Sequence, residues 1–313
     1  MGMVPFDEGI YAAKAGRDVT DNPFESGTVA ASSWQSGFER FMTLSAEPPR
    51  RWGYKQAAHP EIQTLFQNHR KEFIELLADI ESNRDFLHGI RYQENPDQPF
   101  DPYWNNGFFT SLDASVLVTL LLKHRPRRYI EVGSGNSTAF TRYTIRNAKL
   151  PTHITSIDPE PRRDIDTICD RVIRSKVQDC DLSVFNDLEA GDVLFFDGSH
   201  MVEPDNDATV FFLEVLPRLR PGVLVQIHDI FWPHDYTQRW GVAAEQYMLG
   251  LMLIAKPLPF RLLAANFFIS RDDDLSGIVK NIFAPRAEGD YTIPFCTYEI
   301  HDLPGTSVWI ETT

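Results

Sequence analysis

The feature that most constrains this chain is an apolar run that ends in an acid and then turns on glycine: Arg128-Tyr129-Ile130-Glu131-Val132-Gly133-Ser134-Gly135-Asn136-Ser137-Thr138. Tyr129, Ile130 and Val132 give the β-favouring run of a buried parallel strand. Gly133 and Gly135 free the main chain for a tight turn and for close approach to a ligand. Ser137 and Thr138 then open a helix whose first N–H groups face that ligand. Such a strand-turn-helix lays a nucleotide across a strand end in an α/β sheet. The spacing here is Gly-x-Gly-x-x-Thr, without the third glycine of the dinucleotide fingerprint, which weighs against a NAD-binding Rossmann enzyme, the strongest competing fold.

Further strand ends repeat the theme. Thr152 to Asp158 is a strand ending in an acid, 25 positions after Gly133 (158 minus 133). That is close to the offset of about 20 at which a carboxylate grips ribose hydroxyls. Arg171 to Val177 is a third strand, leading into Gln178 and Asp179. Asp192 to Phe196 is a fourth and delivers Asp197-Gly198-Ser199-His200. A helix through Val210, Phe211, Leu213 and Leu216 follows. The fifth strand, Val223 to Ile227, delivers His228-Asp229. Trp240 to Ile254 then reads as a helix, Phe260 to Ile269 as a strand, and Thr306 to Glu311 as the last strand. Open α/β sheets place their chemistry at these carboxyl ends.

Taken together, Glu131-Val132-Gly133-Ser134-Gly135-Asn136-Ser137, Asp197-Gly198-Ser199-His200, the Leu219-Arg220-Pro221-Gly222 turn and Ile227-His228-Asp229-Ile230-Phe231-Trp232-Pro233 resemble a bacterial small-molecule branch of the class I S-adenosylmethionine (SAM)-dependent methyltransferases, of the catechol O-methyltransferase type. The resemblance covers about residues 110–313. It implies an α/β, Rossmann-like sheet of seven strands, the last antiparallel, with helices on both faces. It also implies SAM held by Glu131, Gly133, Gly135, Asn136, Ser137, Asp158, Asp179 and Asp197, and a methyl acceptor that is a small metabolite. Relatives such as the cephalosporin hydroxylase-like proteins put the same scaffold and a metal to another use, so fold alone does not license the chemistry. A non-catalytic SAM-binding protein is disfavoured by the histidines and acids at the strand ends.

His200 and Asp229 are the expected catalytic pair, since an imidazole with a pKa near 6.5 suits proton removal at neutral pH. The fourth and fifth strands are neighbours in a doubly wound sheet, so Asp197, His228 and Asp229 emerge side by side. Two carboxylates this close repel unless protonated or bridged by a cation. A divalent metal is therefore expected on Asp197, His228 and Asp229. The catechol O-methyltransferase type has aspartate and asparagine where this chain has His228 and Asp229; imidazole shifts the preference from Mg towards Mn, Fe, Ni or Zn. His234 and Tyr236 are candidate acceptor-pocket residues, with surface packing the blander role.

Ahead of this core, residues 1–109 form an arm and a mostly helical extension. Ile62, Leu65, Phe66, Phe73, Leu76, Leu77 and Ile80 recur at helical spacing between Pro60 and Ile90, a stretch suited to packing or to self-association as a homo-oligomer. A proline-rich linker, Asn95 to Pro102, leads to Trp104 and Asn105, a segment that in the family folds over the cofactor and for which aromatic packing on the core is an equal alternative. Ser111 is positioned to cap the next helix. A net charge of -14 argues against a nucleic-acid backbone as the main partner. No apolar stretch reaches the roughly 20 residues of a membrane span and no signal sequence opens the chain. Cys169, Cys180 and Cys296 show no metal spacing or disulfide framework. A cytoplasmic protein is expected.

Overall fold

The sheet is built from short, fully buried runs, which is how parallel strands covered on both faces must read. The computed structural model describes residues 5–14, 17–45, 51–52, 56–161, 163–236, 240, 243–285, 291–295 and 304–313; Cys296 lies outside them. Two compact units divide the chain, residues 1–58 with 234–243, and residues 59–233 with 244–313.

In the first unit, α1 (Pro5–Lys14) lies against α2 (Val29–Ser45). The helices approach closely at Gly9, where a Cβ would stand 1.9 Å from the Trp34 carbonyl oxygen. Ala12, Ala13, Trp34 and Phe38 form its core, with Phe24 against it.

The second unit opens with α3 (Pro60–Asn68), α4 (Arg70–Ser82) and α5 (Arg84–His88). The sequence periodicity thus resolves into three helices. They fall on the sheet's side of the division, although the sequence groups them with the extension. Next come α6 (Ser111–His124), β1 (Arg128–Val132), α7 (Asn136–Ala148), β2 (His153–Ile157) and β3 (Arg171–Ile173). β4 (Val193–Phe196), α8 (Asp207–Val210), β5 (Leu224–Ile227), α9 (Glu245–Ile254), β6 (Phe260–Ala265), α10 (Asn266–Arg271), α11 (Asp273–Phe283) and β7 (Val308–Thr312) complete it.

The strand order is β3-β2-β1-β4-β5-β7-β6. The first five strands are parallel, and β7 runs antiparallel between β5 and β6. Because βαβ crossovers are right-handed, the reversal of strand order between β1 and β4 puts helices on both faces and opens a crevice beyond those two strand ends. This is the α/β, Rossmann-like sheet of seven strands, with the last in sequence antiparallel, that the motifs imply.

Several boundaries differ from the sequence expectation, each for a local reason. Thr110, not Ser111, caps α6, its hydroxyl accepting from the Asp113 amide. β3 stops at Ile173, and Val177–Asp179 is a 3-10 turn. The helix expected around Val210 to Leu216 passes from α8 into a π turn, Phe211–Val215, and a 3-10 turn. α9 begins at Glu245 instead of Trp240. β6 ends at Ala265 because Asn266 turns its amide to Asp113 and Ser307, 2.8 and 2.9 Å away, and starts α10. No helix among the described residues is long and apolar enough to cross a membrane.

Candidate functional site

At the end of β1 the backbone makes the turn that only glycine allows. Gly133 has φ +79, and a Cβ there would lie 1.9 Å from the Asp197 carbonyl oxygen. The ends of β1 and β4 therefore touch through their main chains. At Gly135 a Cβ would meet nothing within 4 Å, so its surroundings are open space beside the turn.

Glu131 is fully buried and accepts from the hydroxyls of Tyr129 at 3.2 Å, Thr138 at 2.5 Å and Ser137. Thr138 Oγ1 also accepts from the Gly135 amide at 3.0 Å. Where a dinucleotide fold has its third glycine, this chain has a hydroxyl that ties the turn to the strand. Burial pushes the Glu131 carboxyl up to about 7, against the pull of Ser137 and Thr138. Glu131 and Ser137 thus shape the turn from below.

Asp158, 9% exposed, stands at the end of β2 and accepts from the Ser134 amide at 2.7 Å and the Glu160 amide at 2.8 Å. Asn136, the first residue of α7, accepts from Arg163 at 2.7 Å; the same guanidinium donates to the Pro99 carbonyl at 2.6 Å and lies over Tyr103, 5.9 Å from the ring centre. Asp179 is exposed at the end of its 3-10 turn, while the Oε1 of neighbouring Gln178 is buried without a hydrogen-bond partner. Trp104 is buried against Phe140 at 5.3 Å, and Asn105 is exposed. Tyr236 is buried in the first unit, to which His234 also belongs.

Beyond β4 and β5 the charged groups converge. His200 Nδ1 lies 2.6 Å from Glu245 Oε1; its Nε2 lies 3.3 Å from Asp229 Oδ2 and 3.6 Å from Asp197 Oδ1. Asp197, His200 and Asp229 can each offer one ligand atom within 4.8 Å of the others. His200 and Asp229 both hold left-handed backbone angles, φ +63 and +53, which non-glycine residues keep only when their surroundings enforce them. The His200 carbonyl is fixed by the amides of Ala244 at 2.7 Å and Glu245 at 3.3 Å.

Burial alone would hold the His200 imidazole neutral. Glu245, then Asp229 and Asp197, outweigh it and push the pKa up to about 10. Glu245 and Asp229 move in the same direction from the ordinary carboxylate range, burial being the largest cause for both.

Of the three residues expected to hold a metal, Asp197 and Asp229 come together, and the imidazole that joins them is that of His200. His228 sits behind, 3% exposed, with Nδ1 3.2 Å from Gln226 Nε2 and its ring against Phe109 and Phe195. Its Nε2 is 3.8 Å from Asp229 Oδ1. Glu245 escapes sequence reasoning because it is one acid at the head of an apolar helix, EQYMLGLMLI. The only signal in such a segment is that an acid at a buried position needs a partner.

Residues 130–230 match the family model described as a methyltransferase domain. An uncharacterized protein of Archaeoglobus fulgidus is 33% identical over 125 residues, which cover 37% of this chain and 56% of that protein. The chain thus spans little more than half the length of this relative. A solved structure of a candidate methyltransferase from Thermobifida fusca YX overlaps 64% of this chain and 82% of its own at 12% identity and a TM-score of 0.32, too loose a likeness to bear on function.

Proposed function

We propose that this chain binds SAM in the crevice at the ends of β1, β2 and β4 and transfers its methyl group to an oxygen of a small metabolite. The observation that carries this reading is the contact of Gly133 with Asp197, which joins a glycine turn built for a nucleotide and an acid-imidazole cluster on one edge of the sheet. A methyltransferase-domain match over residues 130–230 supports it. So does the open space at Gly135, which leaves room for a ligand against the main chain.

Each residue has a part. Asp158 keeps lone pairs beyond the two amides it accepts, and these suit ribose hydroxyls. Buried Oε1 of Gln178 is an acceptor for an exocyclic amine, and exposed Asp179 flanks it. Glu131, Ser137 and Thr138 set the turn, and Arg163 holds Asn136, the first helical residue after it.

Methyl transfer is an in-line displacement, so positioning and the charge on the nucleophile supply most of the acceleration. When bound, SAM would supply the methyl group and leave as the neutral thioether S-adenosylhomocysteine, while His200 Nε2 would take the proton that the acceptor hydroxyl gives up. Glu245 holds Nδ1, fixing the ring so that Nε2 faces the gap between Asp197 and Asp229. An imidazole with a pKa near 10 already carries its proton at neutral pH. It serves as a base when positive charge in the site offsets the carboxylates that raise it.

The donor set fits a divalent cation. Asp197 and Asp229 would hold it, with His200 Nε2 within the same 4.8 Å. Such an ion lowers the pKa of an acceptor hydroxyl.

Two measurements test this reading. Calorimetry is expected to show SAM and S-adenosylhomocysteine binding, weakened in Asp158→Ala by roughly 10-fold or more, the scale of a charge-assisted hydrogen bond; equal affinity removes Asp158 from the site. Turnover of a panel of hydroxylated metabolites, after chelation and readdition of single ions, is expected to depend on the ion. In His200→Ala, lost turnover with unchanged metal affinity keeps His200 as the base, whereas lost metal affinity makes it a ligand.

A further inference from the structure

We infer that Thr306 is a positioning residue that sets the carboxylate of Asp229, and that Asp113, deep in the fold, holds Thr306 in place. The inference rests on the functional reading above in one respect, that Asp229 belongs to the reacting cluster.

Asp229 holds a left-handed φ of +53, a conformation sparsely used by residues with a Cβ, though aspartate enters it more readily than most because its short polar side chain can hydrogen-bond locally. What keeps it there comes from the approach to β7. Thr306 Oγ1 donates to Asp229 Oδ1 at 2.9 Å, and the Thr306 carbonyl accepts from the Ile230 amide at 2.5 Å. One residue thus grips both the side chain of Asp229 and the backbone just after it. With Oδ1 engaged, Oδ2 is the oxygen presented to His200 Nε2 at 3.3 Å. Removing the hydroxyl leaves Oδ1, among the described residues, only the longer approach of His228 Nε2 at 3.8 Å, so the carboxylate turns more easily about its terminal bond, a broad torsion.

Thr306 is itself anchored. Asp113, fully buried in the first turn of α6, accepts from the amides of Thr306 at 2.9 Å and Ser307 at 3.0 Å, and from the Ser307 hydroxyl at 2.5 Å. It also accepts from Asn266 Nδ2 at 2.8 Å and the Thr110 hydroxyl at 2.6 Å. A buried carboxylate with five donors is a fixed point, because breaking any one bond leaves charge less compensated in a low dielectric. Force therefore passes from α6 through residues 306 and 307 to Asp229. The two members of the cluster with strained backbones are held by separate devices, His200 by Glu245 and Asp229 by Thr306.

The test uses the full chain freed of metal by chelation, with Mn2+ alone as the probe, followed by titration and calorimetry, and with SAM affinity as the control. Thr306→Val is expected to weaken Mn2+ binding by roughly 10- to 100-fold, the range for partners that orient metal ligands. SAM affinity and urea midpoint should stay near wild type, and Thr306→Ser should restore Mn2+ binding. Equal Mn2+ affinity in wild type and Thr306→Val overturns the inference, as does a loss that Thr306→Ser fails to rescue. Should the wild type bind no Mn2+, the metal part of the functional reading fails, and the crystal structure of Thr306→Val decides the positioning role. A displaced Asp229 carboxylate, out of reach of His200, then supports it, and an unmoved one overturns it.

Discussion

Glu131 shows how a residue can match a cofactor motif while its side chain looks inward. Its two oxygens receive three hydroxyls from β1 and the first turn of α7, so it welds the helix to the strand. Because the folded pKa is about 7 against an ordinary 4.5, the folded state binds the proton more tightly than the unfolded state. The stability this proton gives is fully present below pH 4.5 and is lost as pH rises through about 7; with roughly 1.4 kcal/mol per unit, the loss is at most on the order of 3 kcal/mol. Glu131→Gln lacks that proton equilibrium. The stability advantage of wild type over this variant, from urea midpoints, is expected to shrink between pH 5 and pH 8. A difference that stays constant across the range would assign Glu131 an ordinary pKa.

At the scale of the element, the turn between β1 and α7 carries two glycines with different duties. Gly133→Ala drives a methyl group into the Asp197 carbonyl at a backbone angle that alanine resists, so it is expected to unfold at lower denaturant and to disturb the acid cluster. Gly135→Leu projects into open space; its urea midpoint should stay close to wild type while SAM binding is lost. Retained SAM binding in Gly135→Leu would move the ligand away from the turn. These elements were legible because apolar runs ending in Glu131, Asp158, Asp197 and Asp229 are local patterns. What could not be read depends on distant parts of the chain. Glu245 reaches His200 across 45 positions and Thr306 reaches Asp229 across 77, and no periodicity encodes such pairings. His228 illustrates the same limit from the other side. Adjacent residues at a strand end point in different directions, so the pair His228-Asp229 sends one side chain into the aromatic core and the other into the cluster.

For the whole molecule, the division into two units predicts how the chain tolerates truncation. Every residue assigned to SAM lies in the second unit. Deleting residues 1–58 is therefore expected to leave SAM affinity unchanged, with changes confined to acceptor recognition or self-association; calorimetry and light scattering on the shortened protein check this. A folded truncate that no longer binds SAM would show that the arm completes the site. The position of β7 between β5 and β6 has a further consequence, in the order of synthesis. A growing chain exposes β5 and β6 before the strand that belongs between them exists, so two sheet edges wait unpaired until residues 308–312 emerge. Thr306 and Ser307 arrive at that same moment. Until then Asp113 lacks three of its donors and Asp229 lacks its partner. A nascent chain can thus carry a finished glycine turn while the Asp229 carboxylate still lacks the hydroxyl that holds its Oδ1.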